Sequence, residues 1–213
     1  MTLGPRLRKV NFTAHVAVSV GWMGAVAAYL ALCASGLSTH DPARARASYL
    51  SMEVVAWFVI VPAAVAALLT GLVQASGTPW GLFRHYWILV KFLLTIGAIT
   101  VFLMHIPAIS RMAGVAAETT LSRADYGGPR AQLLVHAAGG MLLLVTITFI
   151  SIFKPWGMTP FGRRAAARET LLPAGGDSKT QQNPRPSRPI PWWAYALLAL
   201  LSLALALAAL HLA

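Results

Sequence analysis

The chain has 213 residues, of which 57% are apolar and only 11% are charged. A soluble domain is about half apolar and a quarter charged, so this composition excludes an ordinary globular protein. The long apolar runs exclude a disordered polyelectrolyte despite the net charge of +11. The single cysteine, Cys33, excludes an intrachain disulfide. The composition therefore predicts a membrane protein with no nucleic-acid partner.

Five apolar runs are long enough to cross a bilayer, which takes about 20 residues for a hydrocarbon core of about 30 Å. The chain is therefore predicted to be an all-α, polytopic membrane protein. Residues 1–160 form a four-helix antiparallel transmembrane bundle, 161–190 a flexible, basic, Pro-rich cytoplasmic linker, and 191–213 a fifth, C-terminal transmembrane helix. The predicted spans are 12–37, 49–74, 86–109, 131–153 and 192–212.

The distribution of Lys and Arg predicts the orientation of these spans. Three basic residues lie in the N-terminal tail, one in the second connection and seven in the fourth, against two and three in the first and third connections. Positive charge accumulates on the cytoplasmic side. We therefore expect a bacterial inner-membrane protein with a cytoplasmic N-terminus and a C-terminus outside.

Titratable groups inside predicted spans are functional candidates, because they are expensive in hydrocarbon. At 1.5 Å rise per residue, His15 and Lys91 lie at the same depth near the cytoplasmic side. His105 and His136 share an outer layer, which Glu53 enters at a similar depth. Two polar layers are therefore predicted within the bundle.

These residues allow more than one chemistry. Histidines on facing helices can ligate a heme iron, which makes His15, Lys91, His105 and His136 candidates for a heme b site. Alternatively, His105, His136 and Glu53 hold a metal ion such as copper at an outer entry site. In a third interpretation the histidines only fasten helices by hydrogen bonds, and Lys91 extends toward the cytoplasmic surface.

Short motifs add a family resemblance. In the first span His15 is followed seven residues later by Trp22 and then by a small pair, in the run HVAVSVGWMGA. This resembles the first-helix signature of copper-resistance-D-like membrane proteins and of heme-containing membrane protoporphyrinogen oxidases. The run WILVK, which ends at Lys91, resembles the third-helix segment of the oxidases. Over residues 1–165 the chain also resembles a bacterial family of integral membrane proteins with an uncharacterised domain.

The resemblance implies a heme b site at His15 and Lys91. It leaves the reaction open, since the Pro-Arg-rich, His-containing segment that follows the first helix of the oxidases is absent from residues 29–36. We therefore expect a heme b protein that acts in electron transfer or in quinone- or porphyrin-linked oxidation. Its expected partners are the lipid bilayer, a redox partner or a second copy of the chain. Copper or other metal handling, and a non-catalytic structural subunit, are the alternatives.

Overall fold

The computed structural model describes residues 4–77, 81–118 and 127–171. The first four of its five helices are long and apolar enough to cross a membrane. The predicted all-α membrane bundle is thus confirmed, whereas the predicted fifth span at 192–212 lies outside the described residues. The helices are α1 (Pro5–Ser38), α2 (Pro42–Ser76), α3 (Tyr86–Glu118), α4 (Gly127–Phe153) and α5 (Pro160–Leu171).

The four long helices form a closed ring in which α1 and α3 each pack against both α2 and α4. A three-residue turn joins α1 to α2, and the Asp41 side chain caps α2 by accepting a hydrogen bond of 3.0 Å from the Ala43 amide. Such a short connection makes the two helices antiparallel neighbours. We call the end of the bundle where α1 begins the proximal end and the opposite end the distal end.

Large apolar side chains cover the outside of the bundle. Phe58 is 77% exposed and Met104 is 58% exposed, and many similar residues surround them. The interior instead contains small residues together with a few large ones such as Tyr49, Met52 and Ile60. Because only a lipid environment favours such an outer surface, this distribution is that of a multi-pass membrane protein.

Helix α2 contains a π-helical segment, Ala56–Ile60, which ends two residues before Pro62. Proline has no amide hydrogen and clashes with the carbonyl four residues earlier in a regular helix. The Val61 amide donates to the Ala56 carbonyl five residues back, which widens the helix at this point. The widened turn lets α2 pass the proline and continue to the proximal end.

A compact junction at the proximal end ties α3 to α5. The Thr159 amide donates to the Arg84 carbonyl at 2.9 Å, and the Thr159 hydroxyl donates to the Phe83 carbonyl at 2.6 Å. The same hydroxyl accepts from the Gly162 amide at 3.1 Å and so caps α5. A Cβ atom at Gly162 would collide with the Arg84 carbonyl oxygen, so only glycine fits there.

This junction changes one prediction. The predicted flexible linker, 161–190, begins as helix α5, which its threonine cap and Pro160 start; residues 172–190 lie outside the described residues. The junction also buries His85, which is only 8% exposed and whose backbone pairs with that of Met158. Hydropathy and residue spacing carry no signal for this pairing.

Candidate functional site

Three helices bring polar side chains together near the proximal end of the bundle. His15 comes from α1, Thr70 from α2 and Lys91 from α3. His15 Nδ1 lies 3.0 Å from Thr70 Oγ1, and His15 Nε2 lies 3.5 Å from Lys91 Nζ. The structure thus places His15 and Lys91 in contact, as their common depth indicated. We call His15, Thr70, Lys91 and Asn11 the proximal layer.

The hydrogen bonds of Thr70 assign the tautomer of His15. The Thr70 hydroxyl donates to the Ala66 carbonyl at 2.6 Å, so its single hydrogen is used there. Thr70 Oγ1 must then accept from His15, which requires the hydrogen on Nδ1. In the neutral imidazole the other nitrogen, Nε2, carries a lone pair. The layer therefore presents that lone pair toward the side of the ring where Lys91 lies.

Two further contacts hold the His15 ring in this orientation. The Asn11 side-chain amide, one turn before His15 on α1, donates to the Thr70 carbonyl at 3.1 Å. Gly71 lies under the ring, since a Cβ atom there would be only 3.1 Å from His15 Cε1. The absence of a side chain at Gly71 therefore allows α1 and α2 to approach closely enough for the histidine to reach Thr70.

On α3 one stripe of side chains connects the two depths. Lys91 and Phe102 are half-buried, Thr95 and His105 are buried, and the Thr95 hydroxyl donates to the Lys91 carbonyl at 2.9 Å. Lys91 and His105 lie on nearly one face because fourteen residues at about 100° each return close to the same direction. The inner surface of α3 is therefore polar at two levels and apolar between them.

The distal layer consists of His105 on α3 and His136 on α4. Their ring centroids are 3.5 Å apart, with an angle of 30° between the planes. His136 Nδ1 donates to the Gln132 carbonyl at 2.8 Å. Both nitrogens of His105 and Nε2 of His136 are buried and find no hydrogen-bond partner in the described part of the chain. The rings are thus in direct contact, with three unpaired nitrogens.

The predicted outer metal site of Glu53, His105 and His136 is not assembled as a group of three. Within 4–77, 81–118 and 127–171, no three His, Cys, Asp or Glu residues lie close enough to hold a metal ion. The reason is helix phase: Met52 is only 1% exposed and faces the core, whereas Glu53 is partly exposed. Consecutive helical residues point about 100° apart, so a buried Met52 turns Glu53 away.

Sequence reasoning missed Thr70 and Asn11 because it considered only titratable groups. Thr70 lies four residues before the predicted end of the second span at 74, and His15 lies three residues after the predicted start of the first span at 12, so the same estimate of depth places the two residues level. Arg130 was also missed as an interior group: it is 8% exposed, and its guanidinium carbon lies 5.5 Å from the centroid of the Tyr49 ring.

Of the remaining histidines, His40 is exposed and His211 is outside the described residues.

Comparison with known proteins leaves the site to be interpreted from its own geometry. No protein-family model, curated protein or solved structure matches this chain significantly. The class of protein that the fold defines is a multi-pass, helical membrane protein with a polar layer near each end of its bundle.

Proposed function

We propose that this protein binds heme b in the proximal layer, with His15 as an axial ligand, and acts in membrane electron transfer or in quinone- or porphyrin-linked oxidation. The observation that carries the proposal is the lone pair on His15 Nε2, which the Thr70 contact fixes in direction. Histidines that ligate a metal usually donate their other ring nitrogen to an oxygen acceptor in this way.

Lys91 would supply positive charge beside a heme. Its ammonium lies 3.5 Å from His15 Nε2, so this flexible side chain would have to turn away from that nitrogen to admit the iron. A heme carries two anionic propionates, and a cation at this depth would stabilise one of them. Heme supplies one-electron chemistry, whereas the chain supplies the ligand, the positive charge and the exclusion of water.

The two layers differ in how well they fit a porphyrin. At a centroid separation of 3.5 Å, the rings of His105 and His136 leave no gap for a macrocycle between them. The proximal layer has one histidine ligand and its supporting hydroxyl. We therefore assign the heme to His15 and Lys91 and expect one heme per chain.

We further propose that the proximal end faces the cytoplasm and that the protein belongs to the bacterial inner membrane. The support is the excess of Lys and Arg in the segments at that end, including Arg84, Lys154, Arg163 and Arg164. A reporter fused after residue 165 should be cytoplasmic, and one fused after residue 213 should be outside. A reporter after residue 165 that is exported would contradict this orientation.

A structural role is the competing function, because the hydrogen bonds from Asn11 and His15 to Thr70 also hold α1 against α2. An absorption spectrum separates the two. Protein expressed with ample heme and purified in detergent should show a Soret band and b-type bands on reduction. His15→Ala should abolish these bands, whereas His40→Ala, which changes an exposed histidine, should retain them. Folded wild-type protein without colour would overturn the heme proposal and favour the structural role.

A further inference from the structure

Helix α5 carries arginines and a large apolar side chain next to each other at the proximal end. Arg163 and Arg164 are exposed, and Phe161 is 64% exposed. Phe161 and Arg164 are three residues apart, so they are neighbours on one face of the helix. Phe83, in the segment that α5 contacts, is also exposed. The junction between α5 and the start of α3 therefore presents a surface that is both apolar and cationic.

The backbone contacts of the junction fix the direction of this surface. The Thr159 amide and hydroxyl hold the start of α5 by donating to the carbonyls of Arg84 and Phe83. Gly162 faces the Arg84 carbonyl, and Arg164, two residues later, points about 200° away from that contact. Within the described residues α5 packs along none of the four long helices. Its exposed arginines therefore project away from the bundle.

The junction lies at the depth of a membrane interface. It is formed where α3 begins and α4 has just ended, and both helices are long and apolar enough to cross a bilayer. A helix at this depth places its apolar side chains at the acyl boundary and extends its arginines to the headgroups. We propose that the junction binds anionic phospholipids, with Arg163 and Arg164 on the headgroup phosphates and Phe161 against the acyl chains.

Charge selects the class of lipid. Helix α5 has three arginines against one glutamate, and α1 begins at the same end of the bundle with exposed Arg6, Arg8 and Lys9. An anionic headgroup is attracted to this charge, whereas a zwitterionic headgroup has no net charge to offer. The guanidinium group also matches phosphate oxygens in a planar, bidentate geometry. The expected ligand is thus a lipid such as phosphatidylglycerol rather than phosphatidylcholine.

Titration of the purified full-length chain with phosphatidylglycerol in detergent, followed by native mass spectrometry, tests this site. We expect tighter binding of phosphatidylglycerol than of phosphatidylcholine with the same acyl chains. The double variant Arg163→Gln/Arg164→Gln should lose roughly 10-fold in affinity for phosphatidylglycerol, with no change for phosphatidylcholine. The matched control Arg6→Gln/Arg8→Gln removes the same charge from exposed positions of α1 and should bind phosphatidylglycerol like the wild type.

A second variant tests the placement of the arginines separately from their charge. Gly162→Ala keeps every arginine but adds a Cβ atom that collides with the Arg84 carbonyl oxygen. Helix α5 must then shift, and affinity for phosphatidylglycerol should fall while circular dichroism shows that the helices are retained. Unchanged affinity in this variant would overturn the assignment of the site to the junction.

Three results of the titration would also overturn the proposal: equal affinity for the two lipids, unchanged affinity in the Arg163 and Arg164 variant, or the same loss in the Arg6 and Arg8 variant. Displacement of the lipid by an equal concentration of inorganic phosphate would overturn it as well, because a soluble anion would then be the ligand. The site does not depend on the proposed heme, so His15→Ala should bind phosphatidylglycerol with wild-type affinity even though it lacks heme.

Discussion

The two polar layers of this bundle are built in opposite ways. In the proximal layer both nitrogens of His15 face a partner, at 3.0 Å from Thr70 and 3.5 Å from Lys91. In the distal layer two histidines lie against each other, and three of their four nitrogens have no hydrogen bond to the described chain. The imidazole of the proximal layer thus has a partner at each ring nitrogen, whereas the distal layer leaves three ring nitrogens unpaired within the described chain.

This difference has an energetic consequence. A satisfied buried hydrogen bond contributes about 1 kcal/mol, whereas an unpaired buried group costs about 1–3 kcal/mol. Truncating a proximal residue should thus destabilise the bundle by leaving its partner unpaired. Truncating His105 removes two ring nitrogens that were already unpaired within the described chain. The substitutions below test that contrast, beginning with the largest expected effect.

Thr70→Val should have the largest effect. Valine has the same shape but cannot accept from His15 Nδ1, so the imidazole loses the contact that fixes its tautomer. We expect heme affinity to fall roughly 10- to 100-fold, as for other residues that support a metal ligand, and this can be measured by heme titration. Thr70→Ser should restore binding, and Thr100→Val, at an exposed threonine of α3, serves as the matched control. Unchanged affinity in Thr70→Val would show that the hydroxyl does not orient a ligand.

Lys91→Met should alter the heme potential more than the heme content. A cation near the heme favours the reduced state, so its removal should lower the midpoint potential by on the order of 50 mV. Redox titration of the purified protein measures this shift, and Lys9→Met, at an exposed lysine near the start of α1, should leave the potential unchanged. A potential that rises or stays constant in Lys91→Met would mean that this lysine is not beside the heme.

Gly71→Ala should have a smaller effect. The added Cβ would lie 3.1 Å from His15 Cε1, so the ring must rotate slightly from its preferred position. A moderate departure from a rotamer costs about 0.5–1.5 kcal/mol, which corresponds to roughly a 2- to 10-fold loss of heme affinity. Gly97→Ala is the matched control, because no atom lies within 4 Å of a Cβ placed there. Equal affinities of the two variants would contradict the close approach of α1 and α2 at His15.

His105→Phe should change the stability of the heme-free protein least. The substitution keeps an aromatic ring against His136 and removes two unpaired nitrogens, so the free energy of unfolding should stay within about 0.5 kcal/mol or increase. His15→Phe, which leaves Thr70 and Lys91 without their imidazole, should instead lose about 1–3 kcal/mol. Thermal melting of both heme-free proteins in detergent makes the comparison. A larger loss in His105→Phe than in His15→Phe would reverse the contrast between the layers.

The four described spans could be predicted from the sequence because a span requires only a long enough apolar run. The contacts of His15 with Lys91 and of His105 with His136 could be predicted because residues at the same count from one membrane surface lie at the same depth. The phase of one helix against another does not follow from such counting. Met52 rather than Glu53 faces the core because Met52 packs in one cluster with buried residues of the other helices, such as Cys33, and no local pattern on α2 distinguishes the two faces.

Other features depended on contacts between distant segments. The junction of Thr159 with Phe83 and Arg84 joins residues about 75 positions apart, and it turns the start of the predicted linker into a capped helix. The contact of Thr70 with His15 depends on the direction of one hydroxyl hydrogen, which the carbonyls of Ala66 and Ala67 determine. Neither long-range backbone pairing nor the direction of a hydrogen bond can be predicted from hydropathy and residue spacing.

The most direct test of the central claim is the heme content of the wild-type protein. The chain should be expressed with ample heme, purified in detergent as a folded species, and assayed for heme b by its reduced pyridine complex against protein concentration. A single ligand-bearing proximal layer predicts one heme b per chain. A folded, monodisperse protein that contains no heme would contradict the account, and two hemes per chain would show that the distal histidines also ligate iron.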